Sequence, residues 1–128
     1  MILVDSDVLI CHLRGMDVAR DWLVDARRRA GPLATSVVCI AEIAGGMRSG
    51  ERRPVTRLLD SLQAVPVNRA IAWRAGELRR AHHRSHHTIG TADYLIAATV
   101  LVTGCELATL DVRHFPMIED LEPPFALT

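Results

Sequence analysis

Lysine is absent from the 128-residue chain, and all 15 of its basic residues are arginine. Whatever positive charge the protein offers a partner is therefore a planar guanidinium fork, suited to phosphate and carboxylate, although a GC-rich genome writes the same preference with no function attached. Cysteine is scarce, and Cys11, Cys39 and Cys105 stand apart in apolar surroundings. That spacing excludes a disulfide framework and marks core thiols of a reducing compartment. No apolar run approaches the ~20 residues of a membrane span, and the N-terminus is too poor in basic residues and too quickly acidic for a signal peptide. A cytoplasmic protein with no membrane partner is expected. Aromatics are few, with one Tyr, two Trp and two Phe, which leaves little surface on which to stack unpaired bases.

What is present suffices for a single domain over residues 1–128. A chain of this length buries roughly two-thirds of its unfolded surface and folds without a disulfide or a structural metal. Its net charge of zero conceals a division. Residues 1–87 carry 14 Arg against 9 acids, and residues 88–128 carry 1 Arg against 6 acids. The pattern suggests a basic rim beside acidic chemistry.

The first ten residues organise the rest. Met1 to Val4 are apolar, Asp5-Ser6-Asp7 interrupts them, and Val8-Leu9-Ile10 resumes the apolar run. A short apolar run ended by a turn signal reads as a buried strand of a parallel sheet covered on both faces. Asp5 then leaves the strand at its carboxyl end, the edge at which open α/β sheets bind ligands. Ser6 or Asp7 is the expected N-cap of the helix that follows, Val8 to Arg14, which Gly15 stops. A second helix is expected from Asp17 to Arg29, with Val18, Trp22, Leu23 and Ala26 inward, and Leu33 to Thr35 as a second strand. Ser36 caps a third helix whose inward positions are read as Val37, Ile40, Ala41, Ala44 and Met47. Glu42 lies off that line, one to two turns in, close enough to the sheet edge to approach Asp5. For any single Glu a solvated position is the commoner outcome.

Further on, a helix is expected from Val55 to Leu62 and a third strand from Ala64 to Val67, with Pro66 placing it at an edge or a terminus. Asn68 can cap a helix from Ala70 to Ser85, with Ile71, Ala75, Leu78 and Ala81 inward. Its end, Arg79 to His87, is the most basic stretch of the chain. His82, His83, His86 and His87 include i, i+4 pairs that could share a metal, but no Cys or carboxylate lies beside them in sequence. A solvated or RNA-facing basic surface is the expectation there. From Tyr94 to Val102 nearly every residue is apolar or small, which predicts a helix packed on all sides. Asp93 sits in its first turn, where an acid also suits the helix dipole. Gly104 ends that helix, Cys105 to Thr109 is a fourth strand, and Asp111 leaves it as Asp5 leaves the first. Ile118 to Leu121 is a candidate edge strand.

The fold predicted is α/β, a central, mostly parallel sheet of four to five strands flanked by helices. It gives Asp5, Glu42, Asp93 and Asp111 one address. Four carboxylates at one edge repel, and they stay ionised together only if cations or Arg groups offset the charge. Oxygen ligands of this kind suit Mg²⁺ or Mn²⁺, which support in-line phosphodiester displacement with one metal or two. Basic residues around the cleft would hold a nucleic-acid backbone.

With these residues in place, the chain resembles the PIN-domain ribonucleases of the VapC toxin type. The resemblance rests on ILVDSDVLI, SVVCIAEIAGGM, TADYLIAAT and LATLDVRHF, which span nearly the whole chain in the family's order and spacing. It implies that Asp5, Glu42, Asp93 and Asp111 are an acidic metal-binding quartet, and that the substrate is RNA. It also implies a homodimer and a small VapB-type antitoxin that wraps the toxin. Asp7 departs from the family's usual Asn or Ser, and Ser6 stands where Thr is common. Asp7 is thus either a fifth ligand or a cap. Two other classes compete. The Asp5-Ser6-Asp7-Val8 sequence also fits the start of haloacid-dehalogenase-like phosphatases, whose usual downstream lysine this chain lacks. The other is a catalytically silent PIN-like interaction module.

Overall fold

The apolar run behind Asp5 becomes the strand at the heart of the sheet. In the computed structural model, which describes residues 1–127, the strands are β1 (Ile2–Val4), β2 (Ala34–Ser36), β3 (Gln63–Val65) and β4 (Glu106–Ala108). They form one sheet in the order β3-β2-β1-β4 with every pairing parallel. Parallel strands need crossover connections, which helices supply here, and all of them end at the same edge. Val4 pairs with Ala108, and the Asp5 N–H continues the ladder by donating to the Ala108 carbonyl at 2.9 Å. The chains leaving β1 and β4 therefore emerge side by side. The predicted strand Ala64–Val67 is observed as Gln63–Val65, starting one residue earlier and ending before Pro66, at the sheet edge.

Alternation along β1 divides the core in two. Leu3 points into a cluster with Ile71, Leu78, Tyr94, Ile96 and Phe115, whereas Ile2 and Val4 join Val8, Leu9, Leu23, Leu33 and Ile43. The helices that supply these residues are α1 (Ser6–Leu13), α2 (Asp17–Ala30), α3 (Val37–Gly46), α4 (Arg52–Asp60), α5 (Arg69–His82) and α6 (Thr91–Thr103), and a 3₁₀ turn spans Val112–His114. Leu3, Val4, Val8 and Leu9 are all fully buried, each contributing about 1.5–3 kcal/mol relative to an exposed position.

Several local expectations need correction. The cap of α1 is Asp5 itself, accepting from the Ser6 N–H at 2.8 Å, in place of Ser6 or Asp7. Helix α4 begins three residues before Val55, because Pro54 sits in the first turn, where no N–H is needed. Helix α5 stops at His82 and leaves Ala81 exposed, so Arg84 to His87 lie in turns. The buried line of α2 is Ala19, Leu23 and Ala26, with Val18 outside. In α3 the buried residues are Cys39 and Ile43, while Val37, Ala41 and Ala44 are exposed. That helix is apolar nearly all round, so spacing alone could not choose its inner face. Tyr94 to Val100 are buried almost throughout, but Leu101 and Val102 emerge from the core in the last turn of α6. Ile118 to Leu121 adds no strand. It forms turns, with Asp120 at φ 55°, and Ile118 and Leu121 pack against the core from outside the sheet.

Candidate active site

Three strand exits and one helix start converge at the carboxyl edge of the sheet. Asp5 stands at the end of β1, only 6 % exposed. Its Oδ1 accepts from the Ser6 N–H at 2.8 Å and lies 3.6 Å from the Cys39 Sγ, and its Oδ2 accepts from the Thr109 hydroxyl at 2.7 Å. Ser36 at the end of β2 caps α3, accepting from the Val38 N–H at 3.0 Å, and this fixes the helix start so that Cys39 and Glu42 face Asp5. The Ser6 hydroxyl donates to Glu42 Oε1 at 3.1 Å and lies 3.5 Å from Asp5 Oδ1, linking the two acids. Ligand atoms of Asp5, Cys39 and Glu42 lie within 4.8 Å of one another.

The second half of the site is built by α6 and the exit of β4. The Gly90 N–H donates to Asp93 Oδ2 at 3.3 Å, the contact of a first-turn acid reaching back to its helix start. His114 Nδ1 lies 3.2 Å from Asp93 Oδ2 and 3.0 Å from Asp111 Oδ2, joining these acids through one imidazole. Asp7 has a different task. Its Oδ2 accepts from the Leu110 and Asp111 N–H groups at 3.0 and 3.1 Å and from the Thr109 hydroxyl at 3.2 Å, and its Oδ1 accepts from the Val8 N–H at 2.7 Å. It staples the start of α1 to the loop carrying Asp111, which combines a local capping bond with a long-range one.

Electrostatics follows from this crowding. Burial raises the Asp5 carboxyl above its ordinary range, against hydrogen bonds from Thr109 and Ser6, with Glu42 and Asp93 adding repulsion. Burial and the charge of Asp5 push Asp7 up to about 6. Glu42 is raised by partial burial and by the charges of Asp93 and Asp7. Among the described residues no Arg pairs with Asp5, Glu42, Asp93 or Asp111. Cys39, pushed up to about 12 chiefly by burial, remains a thiol. The donor set is therefore carboxylate oxygen, and a divalent cation would offset the burial and the neighbouring charges that raise Asp5 and Glu42, so the residues fit Mg²⁺ or Mn²⁺.

All five acids singled out in the sequence thus meet in one place. Ser6, Cys39, Thr109 and His114 carry no comparable signal in the sequence. Thr109 is legible only once β1 and β4 are known to pair, and His114 only once the chain after Asp111 is known to turn back by three residues. The histidines at 82, 83, 86 and 87 pair with none of these acids among the described residues. Among the described residues no metal-type grouping includes them, and His82 and His86 meet only edge to edge, with ring centroids 6.2 Å apart.

A sequence profile of the PIN domain matches residues 2–120. The chain belongs to the PIN domain family. Within it, this PIN domain is 61 % identical over 127 residues to Ribonuclease VapC10 of Mycobacterium tuberculosis, covering 99 % of the chain and 95 % of that protein. The fold agrees. A toxin–antitoxin complex from Klebsiella pneumoniae superposes with a TM-score of 0.78 at 24 % identity, covering 98 % of both chains. VapBC2 from Rickettsia felis, bound to a DNA fragment from its promoter, gives 0.76 at 19 % identity, covering 94 % of this chain and 96 % of that one. Membership of this family displaces the phosphatase alternative. The geometry agrees, since Asp7, the acid–base of that scheme, is engaged by two backbone N–H groups and the Thr109 hydroxyl.

Proposed function

We propose that this PIN domain is a Mg²⁺-dependent endoribonuclease, the toxin of a toxin–antitoxin pair, that cleaves RNA phosphodiester bonds at Asp5, Glu42, Asp93 and Asp111. The observation that carries the reading is the convergence of these carboxylates from four separate elements, with no arginine paired to any of them among the described residues. The relatives named above support the substrate class and the pairing with an antitoxin. Asp5, Glu42 and Asp93 would hold the cation, Mg²⁺ or in its place Mn²⁺, with Asp111 contributing beside Asp93. When bound, such an ion supplies Lewis acidity toward the phosphate and lowers the pKa of water.

The chain's own groups do the positioning. Ser6 and Thr109 hold Asp5 and Glu42 in place through their hydroxyls, and Asp7 fixes the loop that carries Asp111. Asp7 acts as a positioning residue in this scheme, because its oxygens are occupied by backbone donors. A groove of about 170 Å³ lined by Leu23, Val24, Leu33, Leu58 and Leu62, with Arg20 and Arg27 on its rim, supports an antitoxin segment lying between α1, α2 and α4. Exposed apolar residues on α5 and α6, Trp73, Leu101 and Val102, support a homodimer.

The deciding experiment compares RNA cleavage by the purified protein with Mg²⁺ and with chelator, beside Asp5→Asn, Glu42→Gln and Asp93→Asn. Each variant is expected to lose at least about a hundredfold in rate, in line with the removal of one preorganised charge-stabilising group, with circular dichroism and oligomeric state unchanged. Two variants cutting at the wild-type rate would remove the quartet from the mechanism. A wild-type protein that binds RNA but cuts none with Mg²⁺ or Mn²⁺ would leave the silent interaction module.

A further inference from the structure

The acidic centre has the wrong sign for a polyanionic strand, and among the described residues no arginine pairs with its acids. Phosphates flanking the scissile one approach four carboxylates, so cations must stand beside the centre for a strand to settle. Each element carrying an acid can be followed outward to the nearest arginine. From Asp5 along α1 it is Arg14, which is committed to Glu51 at 2.6 Å. From Glu42 along α3 it is Arg48, beyond the far end of the helix. On the other side Asp111 has a nearer one. Asp111 is followed by Arg113, exposed and next to the His114 that touches both Asp93 and Asp111.

Asp93 is preceded by the basic end of α5 and its turns. The link is compact: the His86 N–H donates to the His82 carbonyl at 2.9 Å, the Ile89 N–H to the His86 carbonyl at 3.2 Å, and the Gly90 N–H to Asp93 itself. Ile89 is buried in the same cluster as Leu78 and Tyr94, which brings the last turn of α5 beside the first turn of α6. Arg79, Arg80 and Arg84 are exposed there and form no ion pair among the described residues. Compensation of the α5 dipole by Arg79 and Arg80 would account for cations in the last turn, but not for Arg84 beyond the helix or Arg113 on another element.

We propose that Arg79, Arg80 and Arg84 on one side and Arg113 on the other form the track that holds the RNA backbone across the Asp93 side of the acidic centre. The proposal rests on the ribonuclease reading and specifies where the strand runs. A rival basic surface exists on α4, where Arg52, Arg53 and Arg57 line an open depression with Thr56 and Asp60. It lies beyond the far end of the helix that carries Glu42, whereas the end of α5 packs beside the helix start that carries Asp93.

Binding is measured on the non-cleaving Asp5→Asn protein by fluorescence anisotropy with a labelled single-stranded RNA, over salt from about 50 to 200 mM, the range in which neutralisation of phosphates shows. Adding Arg80→Ala and Arg84→Ala is expected to flatten the slope of log affinity against log salt by about 0.7 for each phosphate that is no longer neutralised. Arg80→Lys with Arg84→Lys keeps the charge and is expected to restore most of the slope. Arg52→Ala with Arg53→Ala is expected to leave the slope as it was. An unchanged slope in the Arg80/Arg84 variant, or a loss confined to the α4 pair, overturns the track. Either result leaves the nuclease reading to its own test, the cleavage assay on the wild-type protein.

Discussion

Asp5 has a donor on each carboxylate oxygen, yet it still binds its proton more tightly than a free aspartate, because burial and two neighbouring acids outweigh those hydrogen bonds. Asp7 and Glu42 are raised with it. A raised carboxyl takes up protons on folding, so the stability it contributes is fully present below the unfolded value near pH 4 and is lost as pH climbs through the folded one, about 6 for Asp7. In chelator, Asp5→Asn is therefore expected to gain stability relative to wild type as pH rises above about 4, read by urea unfolding; a constant difference would mean that folding does not raise the Asp5 carboxyl. His114 lends itself to a second test. Its Nδ1 joins Asp93 to Asp111, and partners that orient metal-binding groups are typically worth about 10–100-fold in affinity. His114→Ala is expected to weaken Mn²⁺ binding within that range in titration calorimetry, and His114→Asn, whose amide can donate from a similar place, to lose less. Equal affinities in all three proteins would reduce His114 to a bystander. The acids are legible in the sequence because strand ends and helix starts are marked by composition. His114 and Thr109 are not, because their partners are set by the β1–β4 register.

Elements are legible where one residue type has one physical use. Asn68 reads as a cap, and it accepts from the Ile71 N–H at 2.9 Å. Pro66 reads as an edge marker, and β3 lies at the edge. Helix faces are not legible where apolar residues surround the axis. In α3 the stripe through Val37, Ala41 and Ala44 is exposed, and the one through Cys39 and Ile43 is buried, a choice made by the exit direction of β2 and the cap at Ser36. This rotation turns Glu42 toward Asp5, so the site depends on the part of the helix that periodicity leaves open. Asn68→Ala tests the capping argument away from the site. It is expected to cost about 1 kcal/mol, within the ~0.5–2 kcal/mol typical of removing a cap, and to leave cleavage at the wild-type rate. Chemical denaturation with an activity assay on the same samples measures both, and a loss of activity without a loss of stability would show that α5 serves the site by another route.

At the scale of the molecule, a neutral chain divides into a basic majority and an acidic C-terminal third, and the fold packs the basic end of α5 beside the start of α6, the helix that carries Asp93. A nuclease whose acidic centre is open needs a means of restraint. The direct means is a cation supplied by a partner, because a guanidinium fork offers paired donors to clustered carboxylates and would satisfy the charge that a divalent ion otherwise offsets. The groove between α1, α2 and α4, with Leu23, Leu33, Leu58 and Leu62 along it, can hold an apolar antitoxin segment. Val8 and Leu9 at the start of α1 pack in the same apolar cluster as Leu23 and Leu33, which connects the groove through one helix to Asp5. The complex with the antitoxin is therefore expected to be inactive, with a basic side chain of the antitoxin within hydrogen-bonding reach of Asp5, Glu42 or Asp93. Neutralising that side chain is expected to restore cleavage while the two proteins still co-elute in gel filtration. A complex that cuts RNA as fast as the free protein, or an antitoxin bound only on the α5–α6 face, would exclude this mode of control.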